Sequence, residues 1–117
     1  MRLNEITYND AVPIDGYGPG FFRVGGKRID GAIVVLPTGV GAWGGFDDTE
    51  TLLAQVDAID VLFVGTGAEI AHPPKDFRIT LEEAGIGVET MASPAACRTY
   101  NVLLSEGRRV AVALLPV

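Results

Sequence analysis

Apolar residues in this chain come in short blocks closed by glycine, proline or polar turns, and the spacing within each block predicts its element. Ala32–Leu36 is a continuous, β-branched run stopped by Pro37, as expected for a strand buried on both faces. Val61–Val64 repeats that pattern and is broken by Gly65-Thr66-Gly67, and Val110–Leu115 repeats it before Pro116. Gly87–Thr90 reads as a further short strand. Phe21–Val24 and Lys27–Ile29 flank Gly25-Gly26, which supplies the positive φ of a two-residue turn, so a β-hairpin is expected there.

Helical spacing fills the intervals. Asp47, with Glu50 three residues later, reads as a capping pair opening a short helix that carries Leu52, Leu53 and Val56. After His72-Pro73-Pro74, the residues Phe77, Leu81 and Ala84 fall on one helical face, with Gly85 as the stop. The last helix is the most explicit. Ser93 suits the N-cap, Pro94 the first helical position, and Gly107 the end. At ~100° per residue, Ala96, Cys97, Tyr100, Leu103 and Leu104 share one face, and Arg98, Asn101 and Ser105 the opposite one.

Strands and helices alternate from residue 32 onward, which predicts parallel pairing with right-handed crossovers. The expected fold class is therefore α/β, with a mixed, mostly parallel sheet flanked by helices and an N-terminal antiparallel β-hairpin. A single domain is expected over residues 1–117. Residues 1–20, with the breaker cluster Asp15–Gly20, read as an irregular arm ahead of a compact core over 21–117. Thr38–Phe46 reads as a glycine-rich loop holding Trp43, the sole tryptophan.

Composition narrows the partners. With 117 residues, 48% hydrophobic and 21% charged, the chain has the material for one packed core. A net charge of −6 argues against nucleic acid or an anionic membrane surface as the main partner, since both need basic patches. There is no run of ~20 apolar residues to span a membrane, and the polar, acidic start reads as neither a secretory leader nor a transit peptide, so none is expected. One cysteine, Cys97, excludes an internal disulfide. A cytoplasmic location is the expectation.

Candidate chemistry is sparse. Gly65-Thr66-Gly67 follows a buried strand, where ligand loops sit in α/β sheets, but Ile70 stands where a dinucleotide fingerprint needs its third glycine. The segment reads either as a nest of N–H groups for an anion or as a tight turn. The start of the helix at Ser93 would add free N–H groups at the same sheet edge. Arg98 and Asn101 either reach a ligand or partner, with Arg98 gripping a carboxylate or phosphate, or tie the helix to Glu89 or Asp60. Val102 on that outer side points to a surface covered by the N-terminal arm or by another subunit. Trp43 reads as a contact anchor or, by preference, a lid folded onto the core. Cys97 faces the core and His72 lacks partners at ligand spacing, so neither nucleophilic catalysis nor zinc is expected, and no cofactor is called for.

Taken in order, the Gly-rich start, Val64-Gly65-Thr66-Gly67, Gly85–Met91, Ala96–Asn101 with its Arg98-Thr99-Tyr100-Asn101, and Val110–Pro116 resemble one family. It is the small α/β family that includes mitochondrial NADH dehydrogenase (ubiquinone) alpha-subcomplex assembly factor 3 and the adipogenesis-associated domain protein. The resemblance runs from about Ile6 to Pro116. It implies a mixed-sheet domain without established enzymatic activity and, through the mitochondrial member, a role in respiratory complex assembly. The leading expectation is a non-enzymatic binding or assembly-factor-like module. Its surface would comprise Gly65, Thr66, Gly67, Arg98 and Asn101, with Trp43 nearby, and its partner would be a protein or a second copy of the chain. The alternative is a small-molecule (anion or carboxylate) binding protein or weak enzyme using the Gly65–Gly67 loop and Arg98.

Overall fold

The computed structural model, which describes residues 12–117, contains two sheets. The first is an antiparallel meander of β1 (Ile14–Gly18), β2 (Phe21–Val24) and β3 (Lys27–Asp30). The β2–β3 turn forms as its residues require: Gly25 and Gly26 have φ of 60° and 82°, and Val24 pairs with Lys27. The irregular arm anticipated for 1–20 is regular from Ile14, because β1 completes the meander beside β2. The earlier part of the arm, residues 1–11, lies outside the described residues.

The second sheet has five strands in the order β5-β4-β8-β6-β7, comprising β4 (Ile33–Leu36), β5 (Gly39–Ala42), β6 (Val61–Thr66), β7 (Gly87–Met91) and β8 (Val110–Leu115). It is mixed. β6 runs parallel to both β7 and β8, while β4 is antiparallel to both β5 and β8. The parallel pairing expected from residue 32 onward holds only for β6, β7 and β8, whose crossovers are α2 (Lys75–Glu83) and α3 (Ser93–Ser105), whereas Pro37-Thr38 is long enough only to turn β4 back into β5. The glycine-rich segment read as a loop is therefore in part a strand. β5 borders the sheet, and the Trp43 N–H continues its ladder to Ala32 O at 3.0 Å.

The short helix α1 (Glu50–Leu53) begins later than its capping signal implied. Thr49 holds the N-cap position without a side-chain bond, and Asp48 just before it, not Asp47, holds the first turn, with Oδ1 accepting the Thr51 hydroxyl at 2.9 Å and the Thr51 N–H at 3.3 Å. α2 buries Phe77 and Leu81 as expected, but Ala84 is exposed. Ile86 takes its place in the core, because its N–H bonds to Leu81 O at 3.0 Å and turns the chain inward past the helix end.

Alternation along the central strands sends neighbouring residues to opposite faces. Leu62, Val64, Ala111 and Ala113 pack beneath α1, α2 and Trp43. Phe63, Val112 and Leu114 pack beneath α3 and the meander, which contributes Ile14, Phe22 and Val24. The middle strands are thus buried on both faces, which is why they read as unbroken apolar runs.

Candidate functional site at the start and outer face of the last helix

The start of α3 is one residue earlier than its sequence predicts: Ala92 holds the cap position, Ser93 is the first helical residue and Pro94 the second. Ser93 is fully buried. Its hydroxyl donates to Leu115 O at 2.6 Å and accepts the Gly67 N–H at 2.9 Å, while its own N–H donates to Gly67 O at 2.7 Å. One side chain therefore joins the ends of β6, β8 and α3. The Gly65–Gly67 segment and the start of α3 do converge, and they meet in direct contact.

That contact explains the glycines. β6 continues through Gly65 and Thr66 rather than breaking there, paired with Met91 on one side and Leu114 and Leu115 on the other. A Cβ on Gly65 would stand 2.6 Å from Ser93 Oγ, 2.8 Å from Ser93 Cα and 2.6 Å from the Leu114 side chain. Gly65 is glycine because the helix start sits against its backbone. Gly67 is buried and its N–H is taken. The Thr66 hydroxyl donates to Glu69 O at 2.8 Å and accepts the Ala71 N–H at 2.9 Å, closing the loop on itself. Chemically, these three residues act as a joint.

Further along α3, Tyr100 and Asn101 turn to the N-terminal strand. The buried Tyr100 donates its hydroxyl to Val12 O at 3.0 Å. Asn101 accepts the Ile14 N–H and donates to Ile14 O, both at 2.8 Å, pairing with β1 as another strand would. Asn101 lies on the flank of the helix rather than opposite the apolar face, because one residue past Tyr100 is only ~100° of rotation. Arg98 is different. It is exposed, and among the described residues it makes no ion pair. Asp60, one partner anticipated for it, is held instead by Arg109 at 3.0 Å, whose hydrogen bond keeps that carboxyl below the usual value. Beside Arg98, a shallow depression of about 280 Å³ is lined by Arg98, Thr99, Val102 and Leu103.

Trp43 is on the other face of the sheet. It is 5% exposed, lies edge-on to Phe46 with ring centroids 5.6 Å apart, packs against Phe77 at 6.0 Å, and donates its indole N–H to Asp48 O at 3.1 Å. The lid reading describes it, and the structure does not bring it to Arg98. Cys97 is buried, and desolvation pushes its thiol up to about 11, away from the thiolate a nucleophile needs. Among the described residues no group of three or more His, Cys, Asp or Glu could hold a metal ion, and no helix is long and apolar enough to cross a membrane. Sequence reading missed the Ser93 junction. Its signal, a serine before a helix-opening proline, is shared with every ordinary N-cap.

Comparison with known proteins agrees with this architecture. The family described as "Protein of unknown function (DUF498/DUF598)" matches residues 14–115. An uncharacterised protein of Rhodobacter capsulatus is 47% identical over 117 residues, covering 100% of this chain and 94% of that one. The NADH dehydrogenase [ubiquinone] 1 alpha subcomplex assembly factor 3 of Mus musculus is 34% identical over 99% of this chain, which spans only 66% of the mouse protein. The crystal structure of an outer membrane protein from Bartonella henselae superposes with a TM-score of 0.84 at 38% identity, covering 91% of this chain and 95% of that one.

Proposed function

The chain belongs to the DUF498/DUF598 family of proteins of unknown function, and on that premise we propose that it is a non-enzymatic protein-docking module of the assembly-factor kind. The observation that carries this reading is the contrast along α3. Ser93, Tyr100 and Asn101 are spent on internal hydrogen bonds, while Arg98 projects outward beside the apolar Val102–Leu103 depression. An unpaired guanidinium next to exposed apolar surface is a common composition for a protein contact. The buried thiol of Cys97 and the occupied N–H of Gly67 leave little for a nucleophile or an anion nest. Of the residues first considered for the surface, Arg98 is the one that would touch the partner. Gly65, Thr66, Gly67 and Asn101 would hold the helix that presents it, and Trp43 would support the opposite face.

The relatives named for NADH dehydrogenase assembly motivate a link to respiratory complex assembly for this chain. Deleting the gene in a host with that enzyme should deplete the fully assembled complex on native gels. Normal assembly would remove the link. The docking surface has its own test: capture from lysate with wild-type and Arg98→Ala baits. Loss of a partner with no change in thermal midpoint is expected, and undiminished capture by the variant would move the surface elsewhere. A cytoplasmic location belongs to the same proposal, and recovery of the protein in the membrane fraction would overturn it.

A further inference from the structure

The outer stripe of α3 is self-complementary. Val102 is 55% exposed, a large apolar side chain with nothing over it among the described residues. Arg98 and Glu106 each stand four residues from it, one toward each end of the helix, and both are exposed. At ~100° and ~1.5 Å per residue, they lie about 40° to either side of Val102 and about 6 Å along the axis in opposite directions. Among the described residues neither makes an ion pair. α3 also has no basic residue in its last turn, so the negative end of its dipole coincides with the Glu106 carboxylate at the C-cap.

We infer that the partner seated on this face is a second copy of the chain, with two α3 helices packed antiparallel about a two-fold axis at Val102. This rests on the reading of α3's outer face as a protein-contact surface, and goes further by naming the occupant. The two-fold axis sets Val102 against the partner's Val102. It brings Arg98 of each copy level with Glu106 of the other, giving two ion pairs by symmetry and delivering a cation to each helix C-terminus. Thr99 and Ser105, at three residues to either side of Val102, are small enough to let the helices approach. A parallel arrangement would instead stack Arg98 on Arg98 and Glu106 on Glu106. One helix pair is a small interface, so the dimer belongs to the weak class and forms at high protein concentration.

Charge reversal tests this by sedimentation equilibrium over a concentration series reaching roughly 100 times the lowest loading. The wild type should associate to a dimer. Arg98→Glu and Glu106→Arg should each weaken self-association by roughly tenfold or more, since each places two like-charged pairs in the interface. An equimolar mixture of the two variants should regain a dimer with one copy of each, because both pairs are then opposite in sign. Circular dichroism checks that both variants are folded. A wild type that stays monomeric, or a mixture no more associated than its components, overturns the inference. Either result leaves the docking surface itself to be judged by the Arg98→Ala capture, so the two readings fail separately.

Discussion

The two faces of the five-stranded sheet are closed by different physics. On one, Phe46 lies edge-on to both Trp43 and Phe77 in an aromatic cluster over Leu62 and Val64, and the indole N–H donates to the backbone. On the other, α3 and the meander meet through placed polar groups: Ser93 at one end of the helix, Tyr100 and Asn101 further along. Aromatic packing tolerates small shifts and depends on volume. A hydrogen-bonded joint depends on registry, because a buried donor left unpaired costs about 1–3 kcal/mol. The polar face therefore fixes how α3 sits, and with it the direction in which Arg98 points.

Removing the largest aromatic should hurt most. Trp43→Ala is expected to cost about 3–5 kcal/mol in urea unfolding, a large share of the roughly 5–15 kcal/mol typical of a domain. A loss below about 1 kcal/mol would mean that the aromatic face is a loose lid instead of core. On the polar face, Gly65→Ala should cost about 1–3 kcal/mol, because Ser93 Cα stands 2.8 Å from the new methyl and backbone must move. A neutral result would show that α3 slides freely and would weaken the contrast between the faces. Asn101→Ala strands both the N–H and the carbonyl of Ile14, at about 1–3 kcal/mol. Its specific mark is lost hydrogen-exchange protection at the Ile14 amide, with the β6–β8 amides unchanged.

Titration offers a subtler probe of the α3 face. Burial raises Cys97 from 9.0 to about 11, so the folded protein holds that proton more tightly than the unfolded chain. The resulting stability is complete below pH 9 and is lost as pH climbs from there toward 11. A thermal midpoint that falls above pH 9 is expected, with a shallower fall in Cys97→Ala. An identical fall would assign it to Tyr100, whose buried phenol is also raised. The smallest effect belongs to Arg98→Ala. As an exposed side chain with no ion pair among the described residues, it should change stability by no more than about 0.5 kcal/mol, in contrast to Asn101 three residues along.

Local signals carried much of the architecture. Gly25-Gly26 determines its hairpin because two consecutive positive-φ residues fit few other conformations. Pro94 and Gly107 delimit α3 through backbone chemistry confined to a turn, and the unbroken runs of β4, β6 and β8 announce burial on both faces. These are properties of neighbouring residues, and a sequence displays its neighbours. Direction and role were decided elsewhere. An apolar run is the same whether its partner lies parallel or antiparallel, so the antiparallel join of β4 to β8 appears only once the sheet closes. That Trp43 folds onto the core is the reading its sequence prefers, but the strand β5 that carries it inward appears only when β5 pairs with β4. Ser93 bonds across 26 and 22 residues, and Asn101 across 87. Serine and asparagine can bond to whatever backbone arrives beside them, so their identity left the partner open. The tertiary fold chose it, and in doing so left Arg98 facing outward.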